Sequence, residues 1–142
     1  MIRFSSQTHP GLRREHNEDA VLAEPDCGLF VVADGVGGRA AGEIASALTI
    51  QTFAAASDEL AETVQSYTAD PQWSTRNAVL EVLDQVCQRA SRKVFDEAEA
   101  SGKKGMTTTI VVAVVGGGAA FLAHAGDSRA YLVRDGLIRQ LT

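Results

Sequence analysis

The sequence has few cysteines and no long apolar run, and each scarcity excludes a class of protein. Its two cysteines, Cys27 and Cys87, are too few and too far apart to indicate a disulfide framework or a zinc site. No apolar stretch reaches the ~20 residues that a membrane-spanning helix needs, and residues 1–4 begin a strand rather than a signal peptide. We therefore expect a reducing, cytoplasmic location and no membrane partner.

Basic clusters are missing as well. The chain carries 13 Lys and Arg against 18 Asp and Glu, a net charge of −5 at pH 7, and nowhere do the basic residues gather. Nucleic acids and anionic membranes bind to clusters of basic residues, so neither is expected as a partner. The 142 residues, with 45% hydrophobic and 22% charged side chains, are enough for one globular domain with a core.

One stretch joins a short apolar run to a carboxylate and several glycines. It reads Leu29-Phe30-Val31-Val32-Ala33-Asp34-Gly35-Val36-Gly37-Gly38. The apolar run predicts a buried strand that holds Asp34 at its C-terminal tip. Glycine backbone approaches a ligand closely because it has no Cβ. A fixed carboxylate beside exposed carbonyl groups is typical of a hard-cation site, since Mg²⁺ and Mn²⁺ prefer oxygen ligands.

The same stretch has two other interpretations. Gly35-x-Gly37-x-x-Ala40 between a strand and a helix also fits a dinucleotide fingerprint. Against this, Asp34 would repel a pyrophosphate, and no second parallel strand follows the helix, as a βαβ unit requires. The sequence Gly-Lys-Ser/Thr is missing, which excludes a P-loop. The remaining alternative is a plain turn from strand to helix.

The densest charged stretch, residues 13–19, precedes a strand predicted at 20–23. A turn at 24–28 pairs that strand with 29–34 as a hairpin, which brings Glu18 and Asp19 to the same end as Asp34. Three close carboxylates repel unless a cation or proton lies between them. Arg14 would either pair with these acids or clamp a phosphate through two parallel hydrogen bonds. The alternative is a solvated loop.

The rest of the chain separates helices from strands. A first strand is predicted at 2–8, helices at 40–56, 57–67 and 75–100, and further strands at 106–115, 119–125, 130–133 and 137–141. Asp135-Gly136 is a two-residue hairpin turn. Such grouping indicates an α+β fold with helices packed on antiparallel sheet.

Several single residues are given structural rather than chemical roles. Cys87 lies on the apolar stripe of the third helix and is predicted to be a small core residue. His124 is expected to be a packed core histidine rather than a ligand, and Trp73 a packing residue. Ser128 follows Asp127, but no suitably spaced histidine would activate it as a nucleophile.

Five motifs in order resemble the metal-dependent protein phosphatase 2C family, particularly its bacterial members. They are Gly11-Leu12-Arg13-Arg14-Glu15-His16-Asn17-Glu18-Asp19, Val32-Ala33-Asp34-Gly35-Val36-Gly37-Gly38, Gly42-Glu43-Ile44-Ala45-Ser46, Gly105-Met106-Thr107-Thr108-Thr109 and Gly126-Asp127-Ser128-Arg129-Ala130-Tyr131. The resemblance covers the whole chain. It implies a four-layer α-β-β-α sandwich of antiparallel sheets and hydrolysis of phosphoserine and phosphothreonine in proteins with Mn²⁺ or Mg²⁺.

The resemblance also implies roles for individual residues. Asp34 would bridge two metal ions, the carbonyl group of Gly35 would bind one of them, and Glu18 matches an acidic ligand of that same ion. Asp19 would support these ligands. The two ions would activate a water for in-line attack on the phosphoryl group, so no covalent nucleophile is needed.

Two further roles follow from the resemblance, and two departures limit it. Arg14 matches the phosphate-binding arginine, and Asp127 matches an aspartate near a third, weaker metal site. Val36 stands where some members carry a histidine thought to act as general acid, so protonation of the leaving group is unassigned. Members of the family also continue beyond the position of Thr142 through a flap and two further metal-binding aspartates.

This shorter length leads to three expectations. Residues 1–142 would be an incomplete, C-terminally truncated phosphatase domain with little or no activity alone, from an active parent that acts on phosphoproteins alongside a bacterial Ser/Thr kinase. The alternative function is a non-catalytic half-domain or binding module completed by a partner chain. An unpaired sheet edge is expected to cause self-association.

Overall fold

A computed structural model describes residues 2–37 and 41–142 as an α+β fold. The elements follow in the order β1 (Asp19–Glu24), β2 (Leu29–Val36), α1 (Ala41–Ala54), α2 (Ser57–Ala69), α3 (Trp73–Ser101), β3 (Thr107–Thr108), β4 (Ile110–Gly116), β5 (Ala119–Ala125), β6 (Tyr131–Arg134) and β7 (Leu137–Gln140). The predicted α+β class is confirmed. Gly38 and Ala40, which belong to the predicted motifs, lie outside the described residues.

The strands form one larger sheet and one separate hairpin. In the sheet the order is β1-β2-β4-β5, with β3 pairing the end of β2, while β6 pairs β7. Every strand pair among the described residues is antiparallel. The second parallel strand that a dinucleotide site requires is therefore not found in this part of the chain.

The helices bury one face of the larger sheet. Along β2, Leu29, Val31 and Ala33 are at most 1% exposed, whereas Val32 between them is 47% exposed. This alternation follows from the two-residue period of a strand. The core continues into α3 through Val79, Leu83, Val86 and Ala90, the stripe predicted from helical spacing.

Short-range signals located most element boundaries. The predicted hairpin of 20–23 with 29–34 forms as β1 and β2, and α2 ends at Ala69, directly before Asp70 and Pro71. Gly102 ends α3 with a left-handed φ of 64°, which glycine adopts without steric cost. Asp135 and Gly136 both have positive φ, 52° and 74°, as a type I′ turn requires.

Four sequence predictions are wrong. Residues 2–8 form no strand; Phe4 instead contacts Phe30 ring to ring, with centroids 6.0 Å apart, so this segment lies against a side chain and not in a ladder. Trp73 is 75% exposed because it begins α3 instead of facing the core. His124 is exposed on the outer strand β5. The strand predicted at 106–115 is interrupted at Thr109, between β3 and β4.

Across the described ranges, every helix is too short or too polar to span a lipid bilayer.

Candidate metal and phosphate site

Two aspartates face each other where β1 begins and β2 nears its end. Asp19 is the direct cross-strand partner of Asp34, so the predicted hairpin brings the charged stretch to the expected end of β2. The prediction that Asp34 is the last residue of its strand is wrong. The strand continues through Val36 because Gly35 and Val36 pair with Thr108 and Thr107 of β3.

The pKa of the Asp34 carboxyl is raised above its usual value. Partial burial is the largest cause, followed by the negative charge of Asp19 and a hydrogen bond between the two side chains. Arg14 acts in the opposite direction, and the charge of Asp127 raises the pKa further. The structure thus brings Arg14, Asp19 and Asp127 within electrostatic reach of Asp34, three of the residues predicted from the sequence.

Glu18 and Gly35 meet above the first turn of α1. The amide of Gly35 donates a hydrogen bond to the carbonyl oxygen of Glu18, 3.1 Å away. A Cβ built on Gly42 would lie 2.8 Å from both Oε1 of Glu18 and the carbonyl oxygen of Gly35. Those two oxygens are therefore at most about 5.6 Å apart. A glycine at position 42 lets these two oxygens approach the start of α1, because it has no Cβ to collide with them.

The predicted cluster of three carboxylates does not form. Within residues 2–37 and 41–142, no group of three or more His, Cys, Asp or Glu side chains converges closely enough to hold a metal ion. Consecutive side chains of an extended chain point to opposite faces. Asp19 accordingly faces Asp34, whereas Glu18 points towards α1 and Gly42.

The donors present nevertheless fit a hard cation. They are carboxylate and carbonyl oxygens, which Mg²⁺ and Mn²⁺ prefer over softer ligands. A side chain at position 42 would collide with both oxygens, so glycine is needed for their close approach to α1. Close acids such as Asp19 and Asp34 are also an arrangement that a bound cation relieves.

Arg14 lies on an exposed segment before β1. It forms no ion pair within the described part of the chain, where the ion pair found is Arg89 with Glu59 at 2.6 Å. The interpretation that Arg14 simply pairs with the nearby acids is therefore not supported. Its guanidinium is therefore available to bind an anion, and its positive charge lowers the pKa of Asp34.

Thr109, which belongs to the fourth motif but was given no role from the sequence, contacts Asp34 directly. Its amide donates to the carbonyl oxygen of Asp34 at 2.9 Å, and its Oγ1 accepts from the amide of Asp34 at 3.2 Å. The same Oγ1 shares a 2.7 Å hydrogen bond with the hydroxyl of Ser128, the residue after Asp127. A signal existed, because three threonines in a row interrupt an otherwise apolar strand.

A cavity of about 420 Å³ lies elsewhere, between α3 and the outer strand β5. Its walls include Cys87, Met106 and His124. None of the predicted site residues lines it, so the acidic groups lie on a surface edge and not in this cavity.

The family model for protein phosphatase 2C matches residues 12–142. The chain belongs to the protein phosphatase 2C family. A relative within it, the serine/threonine protein phosphatase PstP of Mycobacterium tuberculosis, is 33% identical over all of this chain and 25% of its own length. The serine/threonine phosphatase stp of Listeria welshimeri is 35% identical over 96% of this chain and 52% of its own length.

A solved phosphatase 2C structure shares the fold. The catalytic domain of PstP in complex with two manganese ions superposes with a TM-score of 0.80 and 34% identity, over 99% of this chain and 54% of that one. The chain therefore spans about half of that domain. Metal binding by a member of the family at this level of identity agrees with the oxygen donors found here.

Proposed function

We propose that the protein carrying this chain is a metal-dependent serine/threonine protein phosphatase. The observation that best supports this is the convergence of Glu18 and the Gly35 carbonyl above Gly42, next to Asp34, in a chain of the phosphatase 2C family. Glu18, Asp34 and Gly35 would hold Mn²⁺ or Mg²⁺, two ions in the complete domain. Asp127 would contribute to a third, weaker site, and Asp19 would support Asp34.

When bound, the metal ions would supply an activated water and neutralise the charge on the phosphoryl oxygens. Arg14 would orient the phosphate, because a guanidinium binds two phosphate oxygens through parallel hydrogen bonds. Asp19, the cross-strand partner of Asp34, would keep that carboxylate oriented towards the ions. No side chain of this chain is assigned as a covalent nucleophile or as the general acid.

The test is hydrolysis of a phosphothreonine peptide by the full-length protein with Mn²⁺, comparing wild type with Asp34→Asn. We expect the substitution to lower kcat/KM by more than the roughly 10- to 100-fold typical of changes one shell further from a metal. Asp26→Asn, in the exposed turn between β1 and β2, is the matched control. Equal activity of Asp34→Asn and wild type would refute the assignment.

Residues 1–142 alone are proposed to have little or no activity. Among the described residues, no three His, Cys, Asp or Glu side chains converge closely enough to hold a metal ion. Two ions need more ligands than the described residues bring together. Turnover by the isolated chain at the rate of the full-length protein would contradict this. A binding module completed by a partner chain would show no turnover in either form.

The proposed partners are phosphoserine and phosphothreonine proteins, in the cytoplasm, including a bacterial Ser/Thr kinase and its substrates. Self-association of residues 1–142 is proposed because β1 and β5 end the strand order, and open edges recruit further strands. Leu137 and Ile138 add exposed apolar surface, at 74% and 73%. Light scattering across concentrations tests this, and a constant monomer mass would contradict it.

A further inference from the structure

Thr109 joins two acidic segments that are distant in sequence. It lies in the break between β3, which pairs with the end of β2, and β4, which pairs with both β2 and β5. From this position its backbone and side chain both reach Asp34. Its side chain also reaches the segment that carries Asp127.

The contact with Asp34 restrains the aspartate on both sides of its Cα. The carbonyl oxygen of Asp34 accepts from the amide of Thr109 at 2.9 Å, and the amide of Asp34 donates to Oγ1 of Thr109 at 3.2 Å. The hydroxyl bond replaces one that a regular ladder would make backbone to backbone. Thr109 thus restrains Asp34 through both its amide and its hydroxyl.

The contact with the Asp127 segment also has two parts. The hydroxyl of Thr109 shares a 2.7 Å hydrogen bond with Ser128, the residue after Asp127. Its methyl carbon Cγ2 lies only 2.8 Å from where a Cβ would stand on Gly126, the residue before Asp127. A hydroxyl oxygen has one donor and two acceptor sites, so the same atom serves both Asp34 and Ser128. Threonine is the residue whose branched side chain offers a hydroxyl and a methyl together.

We propose that Thr109 is a positioning residue that fixes Asp127 relative to Asp34, through hydrogen bonds to the Asp34 backbone and Ser128 and a methyl contact with Gly126. This inference rests on the proposed function, in which both aspartates act on metal ions. Two carboxylates that hold neighbouring cations need a fixed separation, because their negative charges otherwise drive them apart. Thr109 supplies that restraint without touching metal or substrate itself.

The experiment measures Mn²⁺ affinity of the full-length protein by calorimetry, together with kcat and KM for a phosphothreonine peptide. Thr109→Val keeps the shape and removes the hydroxyl, and we expect about 10- to 100-fold weaker Mn²⁺ binding, as for other outer-shell partners. At saturating Mn²⁺ the KM should stay close to that of wild type. Thr109→Ser, which restores the hydroxyl, should recover most of the affinity. Thr107→Val, the same change at an exposed position two residues earlier, is the matched control.

A double-mutant cycle with Asp127→Asn separates positioning from a general loss of stability. If Thr109 acts through Asp127, the effect of Thr109→Val shrinks when Asp127→Asn is already present. Full additivity, or wild-type Mn²⁺ affinity in Thr109→Val, overturns the inference. Ser128→Ala gives a second test should Thr109→Val not fold, and unchanged affinity there also overturns it. If wild type itself binds no Mn²⁺, the proposed function fails first.

Discussion

Asp19 lies directly opposite Asp34 in the β1–β2 ladder, and partial burial together with the negative charge of Asp19 raises the pKa of Asp34. Acids placed as cross-strand partners oppose folding, because like charges face each other. Their position at the edge beside Gly35 is therefore unfavourable for the isolated chain. The cost is relieved when a cation or a proton lies between them.

Asp19→Asn is expected to stabilise the protein when metal is removed with a chelator. At pH 7 the gain in unfolding free energy should be about 0.5 kcal/mol, within the range for cross-strand pairs. The raised pKa means that folded Asp34 holds its proton to higher pH than unfolded Asp34, so stability falls as pH rises through that interval. The stabilisation by Asp19→Asn should therefore fade as pH falls through the raised pKa of Asp34, because a protonated Asp34 no longer repels Asp19 in the wild type. Urea unfolding at several pH values measures it, with Asp96→Asn on α3 as control.

Gly42→Ala is expected to disturb the metal edge although alanine is the better helix former. The added Cβ would lie 2.7 Å from the carbonyl carbon of Gly35 and 2.8 Å from Oε1 of Glu18. Overpacking of this kind costs about 1–3 kcal/mol of stability, and Mn²⁺ affinity should drop with it. Gln51→Ala, at an exposed position of the same helix, should change neither quantity. A Gly42→Ala protein with wild-type stability and Mn²⁺ affinity would show that Glu18 and Gly35 do not meet there.

Gly126→Ala is expected to be more damaging than Gly118→Ala. Both glycines have left-handed φ, +95° and +75°, but a Cβ at Gly126 would meet Thr109 at 2.8 Å whereas none lies within 4 Å at Gly118. Both variants therefore lose roughly 1–2 kcal/mol of stability, because alanine is strained in the left-handed conformation. Only Gly126→Ala adds a collision with Thr109. Thermal unfolding of the pair measures the difference. Equal losses would mean that Thr109 does not contact the Asp127 segment.

Arg14→Ala is expected to lower kcat/KM for a phosphothreonine peptide. A hydrogen bond to a charged group contributes about 1.5–3 kcal/mol, which corresponds to roughly 10- to 100-fold. Arg13→Ala removes the same charge one residue earlier and should leave kcat/KM nearly unchanged. If the two variants lose activity equally, the effect is long-range charge and not phosphate binding.

Leu83→Ala and Trp73→Ala test where the core lies. Leu83 is 1% exposed and Trp73 75% exposed on the same helix. Removing a buried leucine costs about 2–5 kcal/mol, while a surface change costs about 0.5 kcal/mol or less. Urea unfolding should therefore separate the two variants clearly. A large loss in Trp73→Ala would restore the packing role predicted from the sequence.

Local patterns in the sequence predicted most of the secondary structure. The apolar stripe of α3, the β1–β2 hairpin, and the Asp135-Gly136 turn each depend on neighbours within a few residues. The hairpin alone was enough to bring Glu18 and Asp19 to the same end as Asp34, and the structure then showed that Asp19 is the one opposite Asp34. The family resemblance then supplied the roles proposed for Arg14 and Asp127, which periodicity does not reveal.

Contacts between distant segments decided the rest. Three features depend on packing partners far along the chain. They are the lack of a strand at 2–8, the exposure of His124 on β5, and the direction in which the Glu18 side chain points. The position of Thr109 between Asp34 and Ser128 is of the same kind. Sequence by itself determined most of the helices and strands, because those depend on short-range spacing. Only the tertiary structure decided which oxygens meet, because one residue of shift along a strand turns a side chain to the opposite face.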